Sequence, residues 1–105
     1  MLFSINSGLL EACVLAILSN EDSYGYKLTQ DVKDVMSISE STLYPVLKRL
    51  QTAGFLETYD MPIDGRNRKY YRITTAGKRQ QSLYCDEWKS YKELIEKIFK
   101  GAQRS

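Results

Sequence analysis

The sequence predicts an α+β domain, mainly helical: a winged helix-turn-helix followed by a long C-terminal dimerisation helix. Three observations predict it. Leu43, Val46, Leu47 and Leu50 recur at the i, i+3, i+4, i+7 spacing that makes one apolar stripe on a helix. Ala53-Gly54 ends that helix, and two β-rich runs, Phe55 to Tyr59 and Tyr70 to Thr74, then flank the hairpin signal Asp64-Gly65. Finally, Tyr84, Trp88, Tyr91, Ile95 and Ile98 follow the 4, 3, 4, 3 spacing of a coiled-coil seam over two heptads. The expected division is residues 1–74 for the winged unit, with its second helix at about 39–53 and the wing at about 56–74, and residues 75–105 for the last helix.

A chain of 105 residues suits one domain with a modest core, and 43% hydrophobic with 27% charged residues is ordinary globular composition. Met1 to Ile5 has no basic leader, and the apolar run Leu9 to Leu18 is broken by Glu11 and too short for a bilayer, so the expected location is cytoplasmic, away from membranes. Cys13 and Cys85 read as free thiols that pack rather than as a disulfide framework or redox switches.

Taken in order, the first helix starts after Asn6 or Ser7 and runs to about Leu18 or Ser19. Leu9, Leu10, Cys13, Val14, Ile17 and Leu18 cover so wide an arc that it needs neighbours on more than one side. Ser23 can cap a second helix carrying Leu28, Val32 and Val35 on one face and ending near Met36, with Tyr24 and Tyr26 as packing anchors and Lys27 within reach of a phosphate. Ser37 and Glu40 make a capping box for the third. That start puts Pro45 inside the helix, where it removes the bond to the Ser41 carbonyl and predicts a local distortion near Tyr44. Thr74 caps the last helix, from Thr75 to about Lys100, where Leu94 and Phe99 widen the seam. A helix of that length with one apolar side exceeds what a monomer can cover, so it is expected to pack on its twofold mate and on the first helix.

A small α+β core with a solvated hairpin would explain the stripe and the turn equally well. It does not explain the charge. Lys and Arg against Asp and Glu number 2 to 5 in residues 1–38, 8 to 4 in 39–79, and 5 to 4 in 80–105. Arg66, Arg68, Lys69 and Arg72 gather around the hairpin tip, where they serve no core and can reach phosphates or a minor groove. On the third helix, Ser41, Thr42 and Tyr44 suit hydrogen bonds to phosphates or bases, and Lys48 and Arg49 suit positioning. Its leading half carries no Asn or Gln, so specificity is expected to lean on DNA shape and wing arginines. Catalysis has little support: the chain has no His, no cysteine pair at metal spacing and no phosphate-binding glycine loop, and the adjacent Asp86 and Glu87 do not face each other. No metal site and no cofactor is expected.

The fragments YGYKL (Tyr24 to Leu28), STLYPVLKRLQTAGFL (Ser41 to Leu56) and RKYYRITTAG (Arg68 to Gly77) together resemble the signature of PadR-type bacterial transcriptional regulators, and the likeness spans nearly the whole chain. The resemblance implies a winged-helix repressor acting as a homodimer on double-stranded operator DNA, usually under a small-molecule effector. It implies further that the chain is similar to the compact subgroup with a single C-terminal helix. In that subgroup a tryptophan at the position of Trp88 lies at the dimer centre and can stack a planar aromatic ligand, with Tyr84 and Tyr91 as walls. Lys89 and Lys92 nearby would favour anionic compounds such as phenolic acids over cationic ones. The competing reading is a winged-helix protein–protein interaction module without specific DNA binding, which would not need the cations of the wing.

Overall fold

The computed structural model describes residues 7–103. Along the chain these form α1 (Ser7–Leu18), β1 (Ser23–Tyr24), α2 (Gly25–Lys33), α3 (Glu40–Thr52), β2 (Leu56–Ile63), β3 (Arg66–Ile73) and α4 (Thr75–Gln103). The strands make one antiparallel sheet in the order β1-β3-β2, with Ser23 opposite Tyr71, Tyr24 opposite Tyr70, and β2 paired along its whole length to β3. β2 is thus an outer strand, and Pro62 lies in it opposite Asn67. The wing turns at Asp64 (φ 51°) and Gly65 (φ 74°), the two left-handed residues of a two-residue hairpin loop.

The core is built on α1. Leu10, Val14, Leu15 and Leu18 are buried in one cluster with Leu28 of α2, the stripe Leu43, Val46, Leu47 and Leu50 of α3, and Leu56, Tyr71 and Ile73 of the sheet. Leu9, Cys13 and Ile17 are half-buried and pack on the same cluster. The sequence places Val35 on the inward face of α2, but it is 61% exposed. The helix stops at Lys33, so Val35 leaves the helical face and Met36 is buried instead.

The two helix starts differ from expectation. Ser23 is not the cap of α2: it lies in β1, and Tyr24 is the N-cap, with no side-chain hydrogen bond. The strand β1 was not foreseen, because two residues carry no periodicity to read. At α3 the cap is Ser39 rather than Ser37; its backbone is extended and its carbonyl accepts from the N–H groups of Thr42 and Leu43, both at 3.1 Å. Met36 is buried and Ile38 packs on the core, and two side chains at i, i+2 point the same way only on extended backbone. Helical residues at 37 and 38 would give up that contact. From Glu40 the helix continues through Pro45 to Thr52, with the ring on its exposed side.

The far end of α3 closes in a Schellman motif: Phe55 N–H donates to the Leu50 carbonyl (2.9 Å) and Gly54 N–H to that of Gln51 (3.0 Å), with Gly54 at φ 83°. Thr74 ties this turn to α4. Its hydroxyl donates to the Gly54 carbonyl (2.7 Å) and accepts from Gly77 N–H (3.0 Å), which makes it the N-cap the sequence predicts. A Cβ at Gly77 would run into the Phe55 carbonyl oxygen, so only glycine lets α4 start this close to the α3–β2 turn. At about 1.5 Å per residue the 29 residues of α4 extend roughly 43 Å, which draws the molecule out to 62 × 28 × 20 Å. No described helix is long and apolar enough to cross a membrane.

Candidate functional site

On α3 the buried stripe leaves Ser41, Thr42, Tyr44, Lys48 and Arg49 exposed. Ser39 and Ser41 share a hydrogen bond between hydroxyls at 2.7 Å, and Thr42 lies 3.4 Å from Ser39, so the leading end of the helix presents a cluster of three hydroxyls. Tyr44 turns the other way. Its ring lies against Gly25, where a Cβ would come within 2.7 Å of it, and its hydroxyl donates to Glu40 at 3.1 Å. Burial first, and then that carboxylate, push the Tyr44 hydroxyl above the usual tyrosine range.

The wing cations divide into two kinds. Arg72 is held: its Nε donates to Glu57 at 2.8 Å, which raises its affinity for the proton, and its guanidinium lies 5.0 Å from the Tyr59 ring centroid. Arg68 lies 4.6 Å from the Tyr24 centroid and Lys69 5.6 Å from that of Tyr71, while Arg66, at the turn, is exposed. Tyr24, Tyr70 and Tyr59 stand side by side across the three strands, with centroids 5.3 and 5.6 Å apart. The Tyr59 hydroxyl is anchored on Asp22 at 2.6 Å.

A cavity of about 310 Å³ brings part of this together: Tyr44 of α3, Arg68, Lys69 and Tyr71 of β3, and Tyr24, Gly25 and Tyr26 at the start of α2. Sequence reasoning treated Tyr24 and Tyr26 as packing residues. Tyr26 is 55% exposed, and the Tyr-Gly-Tyr spacing that flanks the α2 start was the signal that could have found it. Lys27 does not join them, being paired with Glu21 at 2.8 Å.

A second, larger groove of about 670 Å³ lies between α1 and α4. Gly8, Leu9 and Ala12 form one wall and Tyr84, Trp88, Tyr91 and Leu94 the other. Asp86 and Glu87 line it, whereas Lys89 and Lys92 do not, so the local charge is the reverse of what the sequence suggests. Trp88 and Tyr91 are tilted neighbours at 6.5 Å. Of the predicted seam, Tyr84 packs on the core and Ile95 is partly covered, while Trp88, Tyr91 and Ile98 are exposed, as are Leu94 and Phe99. Cys85 is exposed rather than packed, and Cys13 is half-buried with its thiol pushed up by burial. Among the described residues no cluster could hold a metal ion.

Residues 14–82 match the profile of the transcriptional regulator PadR-like family. The chain belongs to that family. A protein of Lysinibacillus sphaericus is 36% identical over 91% of this PadR-like chain and 93% of its own length. A transcriptional regulator of Mycobacterium tuberculosis is 30% identical over 84% and 80%. Among solved structures, a Streptococcus mutans protein superposes with a TM-score of 0.91 at 44% identity, covering 96% of this chain and 95% of that one. A PadR family transcription regulator of Clostridium difficile does so with 0.78 at 27%, covering 85% and 96%. The PadR-like fold is a DNA-binding winged helix used in transcription regulation, and the family is one of regulators and not of enzymes.

Proposed function

We propose that this PadR-like regulator is a homodimeric repressor that reads its operator with α3 and grips the flanking backbone with the wing. One observation carries the reading. Tyr44 of α3 lines one cavity with Arg68 and Lys69 of β3, and Ser41, Thr42 and Lys48 are exposed on the same helix. The leading residues of a recognition helix meet base edges, and cations around it neutralise phosphates. Ser41, Thr42, Tyr44, Lys48, Arg66, Arg68 and Lys69 are the proposed contacts. Arg49 is a weaker one, since Glu11 already pairs with it at 3.0 Å.

The dimer is proposed from the α4 seam of Trp88, Tyr91, Ile95 and Ile98, most of which the monomer leaves exposed. Two reading heads so joined would meet half-sites about one DNA turn, roughly 34 Å, apart. The α1–α4 groove is the proposed effector site, with Trp88, Tyr84 and Tyr91 against a planar ring. Asp86 and Glu87 favour a cationic aromatic there over a phenolic acid.

The test is fluorescence anisotropy of the protein against tiled fragments of its own upstream region, at low and near-physiological salt, with random DNA as competitor. Tight binding to one fragment that survives competitor is expected, with a log–log salt slope of about −0.9 per phosphate neutralised. Arg66→Ala and Arg68→Ala should each lower affinity and flatten that slope by about one contact. Equal, weak and wholly salt-labile binding to every fragment would put the interaction-module reading first. Quenching of Trp88 by cationic and anionic aromatics then tests the groove.

A further inference from the structure

Helix α1 lies between α3 and α4, and one of its side chains touches both. Glu11 accepts a hydrogen bond from Arg49 Nε of α3 at its Oε1 (3.0 Å) and from the Tyr84 hydroxyl of α4 at its Oε2 (3.1 Å). The carboxylate is well covered, its side chain 19% exposed, whereas Arg49 remains 49% exposed. A single rigid group with both oxygens engaged, one on each neighbouring helix, transmits a displacement of either helix to the other. Tyr84 also walls the α1–α4 groove, so the α4 end of this chain of bonds lies where the groove opens.

We infer that Glu11 is a positioning residue that couples the long helix to the reading helix through the bonded series Arg49–Glu11–Tyr84. The carboxylate is the part that matters: it accepts from a cation on α3 and from a hydroxyl on α4. Its consequence for DNA rests on α3 being the reading helix. A change in α4 that draws Tyr84 away leaves the Glu11 carboxylate held by Arg49 alone, at Oε1, and the pitch of α3 against α1 is no longer set by α4.

The experiment uses the full chain with Tyr84→Phe, Glu11→Ala and the double variant, followed by amide hydrogen exchange and by operator affinity. Tyr84→Phe removes a single hydroxyl on α4 and touches nothing on α3. It should speed exchange of the α3 amides around Val46 to Leu50 while those of α2 and β3 keep their wild-type rates, and it should weaken operator binding about fivefold, the low end of couplings between sites. Glu11→Ala, which removes the acceptor from both partners, should do at least as much, and the double variant no more than Glu11→Ala alone, since both break one series. Wild-type exchange in α3 of Tyr84→Phe, exchange raised evenly throughout the molecule, or strictly additive effects would each overturn the inference. A protected α3 that loosens in Tyr84→Phe, in a protein that prefers no DNA sequence, would support the coupling while removing the reading role from α3.

Discussion

At the level of single residues, Gly77 and Thr74 carry the junction on which α4 is built. Gly77→Ala must displace either α4 or the Phe55 carbonyl, and forced overpacking of this kind costs about 1–3 kcal/mol, read as a lower denaturant midpoint. Thr74→Ala removes the hydroxyl that serves Gly77 and Gly54 at once, and loss of such a cap costs about 1 kcal/mol in the same measurement. The tyrosines set the behaviour in alkali. Burial raises the Tyr71 and Tyr84 hydroxyls, burial and Glu40 raise Tyr44, and the bond to Asp22 raises Tyr59. A raised folded-state value means that the native protein keeps these protons after the unfolded chain has lost them. Their contribution is therefore complete below the ordinary tyrosine value of about 10 and disappears as pH rises through the folded values. Thermal midpoints should fall above that pH, and Tyr71→Phe should flatten the decline.

At the level of elements, α3 shows what a sequence can and cannot disclose. Its stripe of Leu43, Val46, Leu47 and Leu50 was legible because four large apolar residues at helical spacing have one way to be buried together, and all four are buried. Leu47→Ala, at a fully buried position, should cost about 2–5 kcal/mol. Gly54 and Asp64-Gly65 were legible as well, since few residues tolerate a positive φ. The cap was misplaced by two residues because Ser37 and Ser39 are equally good caps locally, and the choice between them is made by Ile38 reaching the core. The reversed charge of the groove was hidden for a similar reason: which of Asp86, Glu87, Lys89 and Lys92 faces α1 depends on how α4 is rotated, and a seam read over two heptads leaves that loose. The pair Arg49–Glu11 spans 38 residues and has no signature in the sequence. Pro45 is the remaining anomaly of α3. Pro45→Ala restores a donor for the Ser41 carbonyl and should raise stability by about 1–2 kcal/mol, a gain reduced by the freedom alanine returns to the unfolded chain.

At the level of the whole molecule, a helix projecting beyond its own core leaves Trp88, Tyr91, Leu94, Ile98 and Phe99 at 46%, 61%, 59%, 67% and 57% exposure, a continuous apolar surface of the kind that monomers seldom keep. Sedimentation of the wild-type chain should give a dimer, and Ile98→Glu should shift it to monomer and weaken operator binding at least tenfold, because one reading head alone loses the tethering of the second. The same economy governs where the molecule does not self-associate. With Ile63 and Arg66 closing the hairpin as a bonded pair, the alternation of an antiparallel ladder turns the backbone nitrogen of Pro62 outward from the sheet. The outer rim of β2 therefore lacks a donor where a foreign strand would need one, and the exposed Asp60 adds charge to that strand. A second wing laid along that rim would find one ladder bond missing, which disfavours edge-to-edge pairing between copies of the protein and with it the usual route from exposed strands to aggregates.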